Sequence, residues 1–218
     1  ILTTLISSAD RQAAADIVTI QAGLGGQSSE IIQEAMLVQE NDDENYGGRS
    51  DFELGVVAAG RVRTTVMRFD VSDPMLGLYT AGGVPLFSSI DAVTLTLTTT
   101  GNSSSSNNMD IRVGLGVESQ GDWVEGTHVN PAGEPDTGLV TYSERREAQG
   151  TDWLPNTNYH RGGGAGIIGT ATSYPGVNTS FDIDFSPLGR EELDDIFDRW
   201  VTGENEGILL NDFNRTGF

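Results

Sequence analysis

Apolar and polar residues alternate along most of this chain, which is the pattern of half-buried β-strands. In residues 90–100, IDAVTLTLTTT, the apolar side chains of Val93, Leu95 and Leu97 alternate with threonines. The same kind of strand pattern recurs in 62–71, 110–118, 138–142, 166–174, 180–186 and 207–212. Short strands separated by glycine- and asparagine-rich turns predict an all-β fold, a jelly-roll-like β-sandwich.

One helix is predicted near the C-terminus, at about 187–201. Ser186 suits the N-cap and Pro187 the first helical position. Four apolar residues recur at helical spacing and predict one buried face: Leu193, Ile196, Phe197 and Trp200. Three acidic residues are then expected to point outward: Asp194, Asp195 and Asp198.

The chain shows no linker between domains. We therefore expect a single β-sandwich domain over residues 16–218, preceded by an N-terminal arm over residues 1–15. The arm contains the strand-like run ILTTLIS.

The charge balance excludes several classes of partner. The chain has 32 acidic residues against 12 basic ones, a net charge of −20, and every basic residue is arginine. A field of that sign repels phosphates, so we expect no nucleic-acid binding. No run of about 18 apolar residues appears, so we expect no insertion into membranes. The same field favours divalent cations. Because the chain contains no cysteine, disulfides, thiolate metal sites and cysteine catalysis are excluded.

A dense group of oxygen ligands precedes one glycine pair. It consists of Asn41, Asp42, Asp43, Glu44 and Asn45. Carboxylate and amide oxygens suit Ca²⁺, although the spacing is not that of an EF-hand. The alternative is a turn in which Asn and Asp side chains bond the backbone, with Gly47 and Gly48 supplying the required conformations. The two interpretations are compatible, since calcium would anchor the same turn.

Aromatic residues in predicted loops are candidates for stacking on sugars. The candidate carbohydrate-binding residues are Trp123, Glu125, Trp153 and Tyr159. The alternative for the aromatic residues is packing at the edge of the sandwich. Asp182 and Asp184 alternate with apolar residues, so we expect them to form a solvent-facing acidic surface rather than a catalytic pair. Without a recognisable nucleophile motif, we expect the protein not to be an enzyme.

The order of several segments resembles DNRLRE-type, or disaggregatase-related, domains. The segments are ADIVTIQAG, ENYGGRSDFELG, TTVMRFDVS, IDAVTLTL, GDWVEGT, SFDIDFSPL and RWVTGENEGILL, which together cover roughly residues 16–212. The resemblance implies a jelly-roll-like sandwich that is secreted or displayed on cells, and some members of the family are carbohydrate-binding modules. Family members usually continue into one more strand, whereas the sequence here ends at NDFNRTGF.

These features predict a non-catalytic extracellular structural protein that associates with itself on a cell surface or in a fibre. A sandwich that lacks its last strand could accept a strand from a neighbouring copy. The residues predicted to make that contact are Ile1, Leu2, Leu5 and Ile6, all in the arm. The alternative function is a carbohydrate-binding module that recognises a polysaccharide.

Overall fold

The structure is a computed structural model of the chain. The described residues are 3–8, 16–22, 24–28, 30–38, 45–49, 51–56, 62–100, 108–115, 123, 125–126, 167–173, 175–202, 205 and 207–212.

The described residues form two antiparallel sheets. Their strands are β1 Thr3–Ser8, β2 Asp16–Ile20, β3 Ile32–Val38, β4 Gly55–Val56, β5 Val62–Phe69, β6 Ala92–Thr98, β7 Asn108–Leu115, β8 Ile167–Ser173, β9 Ser180–Asp184 and β10 Ile208–Asp212. One sheet has the order β2-β1-β6-β9. The other has the order β3-β5-β10-β7-β8, and β4 pairs with the end of β5. The prediction of an all-β sandwich is confirmed.

The main core lies between the two sheets. In β6 the apolar residues Val93, Leu95 and Leu97 are buried while the intervening threonines are not, as the alternation predicts. The opposite sheet contributes Met67 and Phe69, among other residues, to the same core. Strand β5 behaves differently, because its neighbouring residues Thr64 to Met67 are all fully buried. This central strand is therefore covered on both faces.

The helix, α1, spans Arg190–Thr202 and begins later than predicted. Its first turn is closed by Gly189, whose N–H donates to Oε2 of Glu192 at 2.7 Å and whose carbonyl accepts from Leu193. Ser186 and Pro187 lie in the preceding turn, where Leu188 donates to the carbonyl of Phe185. The predicted cap at Ser186 is therefore wrong, because a glycine with a glutamate three residues later provides the N-terminal cap instead. No helix in the described ranges is long and apolar enough to cross a membrane.

Helix α1 packs on one end of the sandwich. Its predicted apolar face is confirmed, since Leu193, Ile196, Phe197 and Trp200 are all buried.

The polar side of α1 is not simply solvated. The carboxylate of Asp194 accepts the N–H of Ile90 at 2.6 Å, and Asp198 accepts the hydroxyl of Tyr79 at 3.2 Å. Two of the three acids expected to point outward thus join the helix to the 71–91 segment. Asp195 and Asp198 are nevertheless exposed, as predicted, whereas Asp194 is partly buried.

The N-terminal segment is part of the domain, not an arm. Strand β1 lies between β2 and β6, with Leu5 opposite Thr19 on one side and Thr94 on the other. Its backbone is already paired on both sides within its own chain, which contradicts the prediction that residues 1–15 donate a strand to a neighbour. Leu5 and Ile6 lie in this strand, whereas Ile1 and Leu2 are outside the described residues. The predicted domain boundary at residue 16 is therefore wrong, because β1 and β2 belong to one sheet.

A substitution at Gly169 tests how closely the two sheets approach at β8 and β9. A Cβ atom there would lie 2.7 Å from Cγ2 of Ile183 and 3.0 Å from the carbonyl oxygen of Asp184. Overpacking of this kind costs about 1–3 kcal/mol, so Gly169→Ala should lower the free energy of unfolding by that amount in urea denaturation. Gly82→Ala is the control, because the nearest atom there is 3.8 Å away. Equal stability of the two variants would contradict the close approach.

Candidate functional site: a carboxylate pair at the edge of β3

Trp123 covers the outer face of the larger sheet. Its side chain is only 1% exposed. It packs in a second apolar cluster with Ala35, Leu37, Val66 and Leu209, on the opposite side of the sheet from the main core. This burial explains why β5 is covered on both faces. It also contradicts the prediction that Trp123 stacks on a sugar, because the indole is occupied by the protein's own sheet.

Arg68 holds the Trp123 ring from the polar side of this cluster. Its guanidinium carbon lies 4.8 Å from the ring centroid, within the range of a cation–π contact. The Nε atom of Arg68 also donates to Oε1 of Gln33 at 3.1 Å, across the β3–β5 pair. The arginine thus links the sheet to the segment that carries Trp123.

Two residues after Trp123, Glu125 reaches the outer edge of β3. Its Oε1 atom accepts the backbone N–H of Glu34 at 3.0 Å. Further along the same edge, Met36 forms a β-bridge with Tyr46. We call Tyr46 and Glu125 the β3 edge cover, because they satisfy backbone groups that would otherwise be unpaired at the end of the sheet.

The two segments that supply the edge cover lie directly against each other. A Cβ atom on Gly47 would lie 2.5 Å from the nitrogen and 2.7 Å from the oxygen of Gly126. Only a glycine permits this approach of two backbones. The glycine pair noted in the sequence thus has a packing role at Gly47.

The carboxyl groups of Glu34 and Glu125 are both electrostatically perturbed. Burial, with a further contribution from the nearby Glu125, raises the pKa of Glu34 to about 7. Burial also raises the pKa of Glu125, while its hydrogen bond from Glu34 and the charge of Arg68 act in the opposite direction. A carboxyl group that titrates near neutrality could exchange a proton with a ligand. In this arrangement, however, Glu125 already serves as a hydrogen-bond acceptor for the fold.

The structure describes one residue of the predicted calcium loop. Asn45 is fully buried, and its Oδ1 atom accepts the N–H of Gly47 at 2.9 Å. This is the turn interpretation of that position. Asn41, Asp42, Asp43 and Glu44 lie outside the described residues. Within the described ranges, no group of three or more His, Cys, Asp or Glu residues is placed to bind a metal, and calcium binding stays a prediction.

The remaining predicted sugar-binding residues are not brought together with Glu125. Trp153 and Tyr159 lie outside the described residues. Every aromatic side chain whose burial is described is buried or partly buried, so this part of the chain presents no exposed aromatic platform.

Glu34 was missed by the sequence analysis. It interrupts the apolar run IIQEAMLV at a position directly opposite the buried Met67 of β5. An acidic residue on the inward side of a strand is the signal that could have identified it. Its partner, Glu125, is 91 residues away and could not be paired with it from spacing alone.

Comparison with known proteins adds nothing to this geometry. No protein-family model, no curated protein and no solved structure matches the chain. The resemblance to DNRLRE-type domains therefore stays a prediction.

The raised pKa of Glu34 predicts a specific dependence of stability on pH. A pKa of about 7 in the folded protein, against an ordinary value of 4.5, means that folding favours the protonated form. The ionised form therefore costs stability, which falls as pH rises through this window and stops falling above about pH 7. Glu34→Gln carries no charge, so at pH 8 it should be more stable than the parent, by at most about 3 kcal/mol.

The measurement is urea denaturation at pH 4.5, 6 and 8. Glu30→Gln is the matched control, because Glu30 is an exposed glutamate four residues earlier. If Glu34→Gln loses stability between pH 4.5 and 8 as steeply as Glu30→Gln does, Glu34 does not titrate in this window.

Proposed function

We propose that this chain is a non-catalytic, extracellular structural protein, a self-associating subunit of a cell surface or fibre. The observation that carries the proposal is that several carboxylates accept hydrogen bonds from the backbone and so stabilise the fold. Five in the described part of the chain accept a backbone N–H: Asp70, Asp73, Glu125, Glu192 and Asp194.

These carboxylates secure the places where the chain leaves regular structure. Asp73 accepts the N–H of Met75 at 2.8 Å through one oxygen and that of Ser28 at 3.1 Å through the other. Asp194 fixes the segment before β6, and Glu192 closes the first turn of α1. These carboxylates are spread over turns, the start of α1 and the β3 edge. This distribution favours a structural role over the acid–base chemistry that paired carboxylates perform.

The outer face of the smaller sheet is a regular polar surface. Thr94 donates to Asp184 at 2.7 Å and Thr96 donates to Asp182 at 2.6 Å, each across the β6–β9 pair. One step further, Thr98 and Ser180 are joined at 2.9 Å. Asp182 and Asp184 are exposed, as predicted from the alternation. Cross-strand pairs of this kind stabilise the sheet and keep this face hydrated.

A surface or fibre subunit must remain soluble until it assembles. The net charge of −20 provides electrostatic repulsion between separate copies. Because salt screens that repulsion, we expect assembly to become more favourable as ionic strength rises. The alternative function is carbohydrate binding. Because Trp123 is buried, stacking on a sugar would depend on Trp153 and Tyr159.

Electron microscopy and sedimentation velocity of the purified chain test the proposal. We expect oligomers or filaments that increase with protein concentration and with NaCl, measured with Ca²⁺ and with chelator. Separate particles under every condition would contradict self-association.

Incubation with a panel of polysaccharides tests the non-catalytic part. We expect no release of reducing ends. Glu125→Gln is the control for catalysis, because Glu125 is one of the two glutamates with a raised pKa. Steady release that this substitution abolishes would show an enzyme instead. Tight binding of one polysaccharide without assembly would favour the alternative function.

A further inference from the structure

Apart from the two-residue strand β4, the two sheets of the described chain have four outer edges, and three of them are at least partly covered. These edges are β2 and β9 in the smaller sheet and β3 and β8 in the larger one. The edges at β8 and β9 meet each other, with Gly169 against Ile183 and the carbonyl of Asp184. The edge of β3 carries Tyr46 and Glu125. Strand β2 is the remaining edge.

Half of the β2 edge is covered by a single side chain. The amide of Gln27 donates through Nε2 to the carbonyl of Thr19 at 2.6 Å and accepts through Oε1 from the N–H of Gln21 at 2.9 Å. The side chain thus makes the two hydrogen bonds that a neighbouring strand would make. It also shows that the backbone groups of Thr19 and Gln21 point away from β1.

The other half of the β2 edge lies at Ile17. Backbone groups of alternate residues point to the same side of a strand, so the N–H and C=O of Ile17 point outward like those of Thr19. No other described residue bonds these outward groups. The side chain of Ile17 is 66% exposed, the largest fraction among the exposed apolar residues of the described chain. Unpaired backbone groups beside an exposed β-branched side chain form a site for strand addition.

We propose that β2 pairs with β2 of a second copy of this chain, antiparallel about a two-fold axis beside Ile17. This inference rests on the proposed function, for which it names the contact. The Ile17 residues of the two copies exchange both N–H···O bonds and place their side chains directly opposite each other. The two four-stranded sheets then join into one continuous sheet, with their threonine–aspartate faces on the same side.

The geometry of the edge favours a second copy as the occupant. Gln27 limits any added strand to residues 16–18, because it occupies the edge at Thr19 and Gln21. Over so short an overlap, a two-fold contact satisfies the donor and the acceptor of Ile17 in both chains and buries two exposed isoleucines. The contact is far smaller than the roughly 1,200 Å² of a stable interface, so it is weak in dilute solution. It becomes effective where copies are held close together, as on a surface.

Because the chain contains no cysteine, a single introduced thiol reports this contact. Directly opposite residues in a hydrogen-bonded pair have Cα atoms about 5.5 Å apart, which suits a disulfide. Ile17→Cys should form disulfide-linked dimers at least tenfold faster than Ser180→Cys, an exposed residue on β9 at the other end of the same sheet. The rates are measured on non-reducing gels under mild oxidation and divided by each thiol's rate with a small disulfide reagent. The ratio should rise with NaCl.

Ile17→Pro gives an independent test that leaves the fold in place. The N–H of Ile17 points away from β1, and proline is tolerated at such edge positions. We expect a native circular dichroism spectrum and a loss of dimers in sedimentation velocity at high protein concentration.

Three outcomes separate this inference from the proposed function. Assembly of the parent that is unchanged by Ile17→Pro, with equal crosslinking at both cysteine positions, overturns the β2 contact and leaves self-association standing. Rapid crosslinking at position 17 without larger assemblies supports the contact and contradicts the surface or fibre role. A parent that neither crosslinks nor assembles overturns both.

Discussion

A β-sheet that does not close on itself ends in strands whose outward N–H and C=O groups have no neighbour, and this constraint organises the molecule. Apart from the short strand β4, the two sheets end at four such edges, and the chain treats them differently. At β8 and β9 the sheets converge. At β3 a tyrosine bridge and a glutamate side chain replace a strand. At β2 one glutamine amide does so over part of the strand. Residues outside the strands, such as Tyr46, Glu125 and Gln27, therefore pair with backbone groups at the edges of the sheets.

The same constraint gives several acidic side chains a structural role in addition to their contact with solvent. Carboxylates accept backbone N–H groups at turns, at the start of α1 and at the β3 edge, where an oxygen acceptor is required. Placing two carboxylates close together has an electrostatic cost at the β3 edge. Burial, together with the nearby charge of Glu125, raises the pKa of Glu34 to about 7. The position tolerates this cost because the Trp123 segment is also held by apolar packing and by Arg68. The raised pKa values of this carboxyl pair thus accompany the covering of the β3 edge.

The sequence pattern predicted those parts of the fold that depend on residues close together in the chain. The period-two alternation of β6 and the apolar face of α1 follow from which side chains must be buried, and both are confirmed. The helix start was wrong because two plausible caps, Ser186 and Gly189, lie three residues apart. The role of β1 and the burial of Trp123 could not be predicted, since each depends on contacts with segments distant in the sequence. The Glu34–Glu125 pair was hidden for the same reason.

The distance along the chain between these partners has a consequence for how the protein folds. Glu125 reaches Glu34 across 91 residues, and Thr64 bonds the carbonyl of Leu210 across 146. Loops of that length close late and at an entropic cost, so folding dominated by such contacts is slow. During synthesis β3 emerges long before Glu125, one of the two residues of its edge cover. The nascent chain therefore passes through a period in which part of this edge lacks its partner, and the strong negative charge of the chain then opposes aggregation.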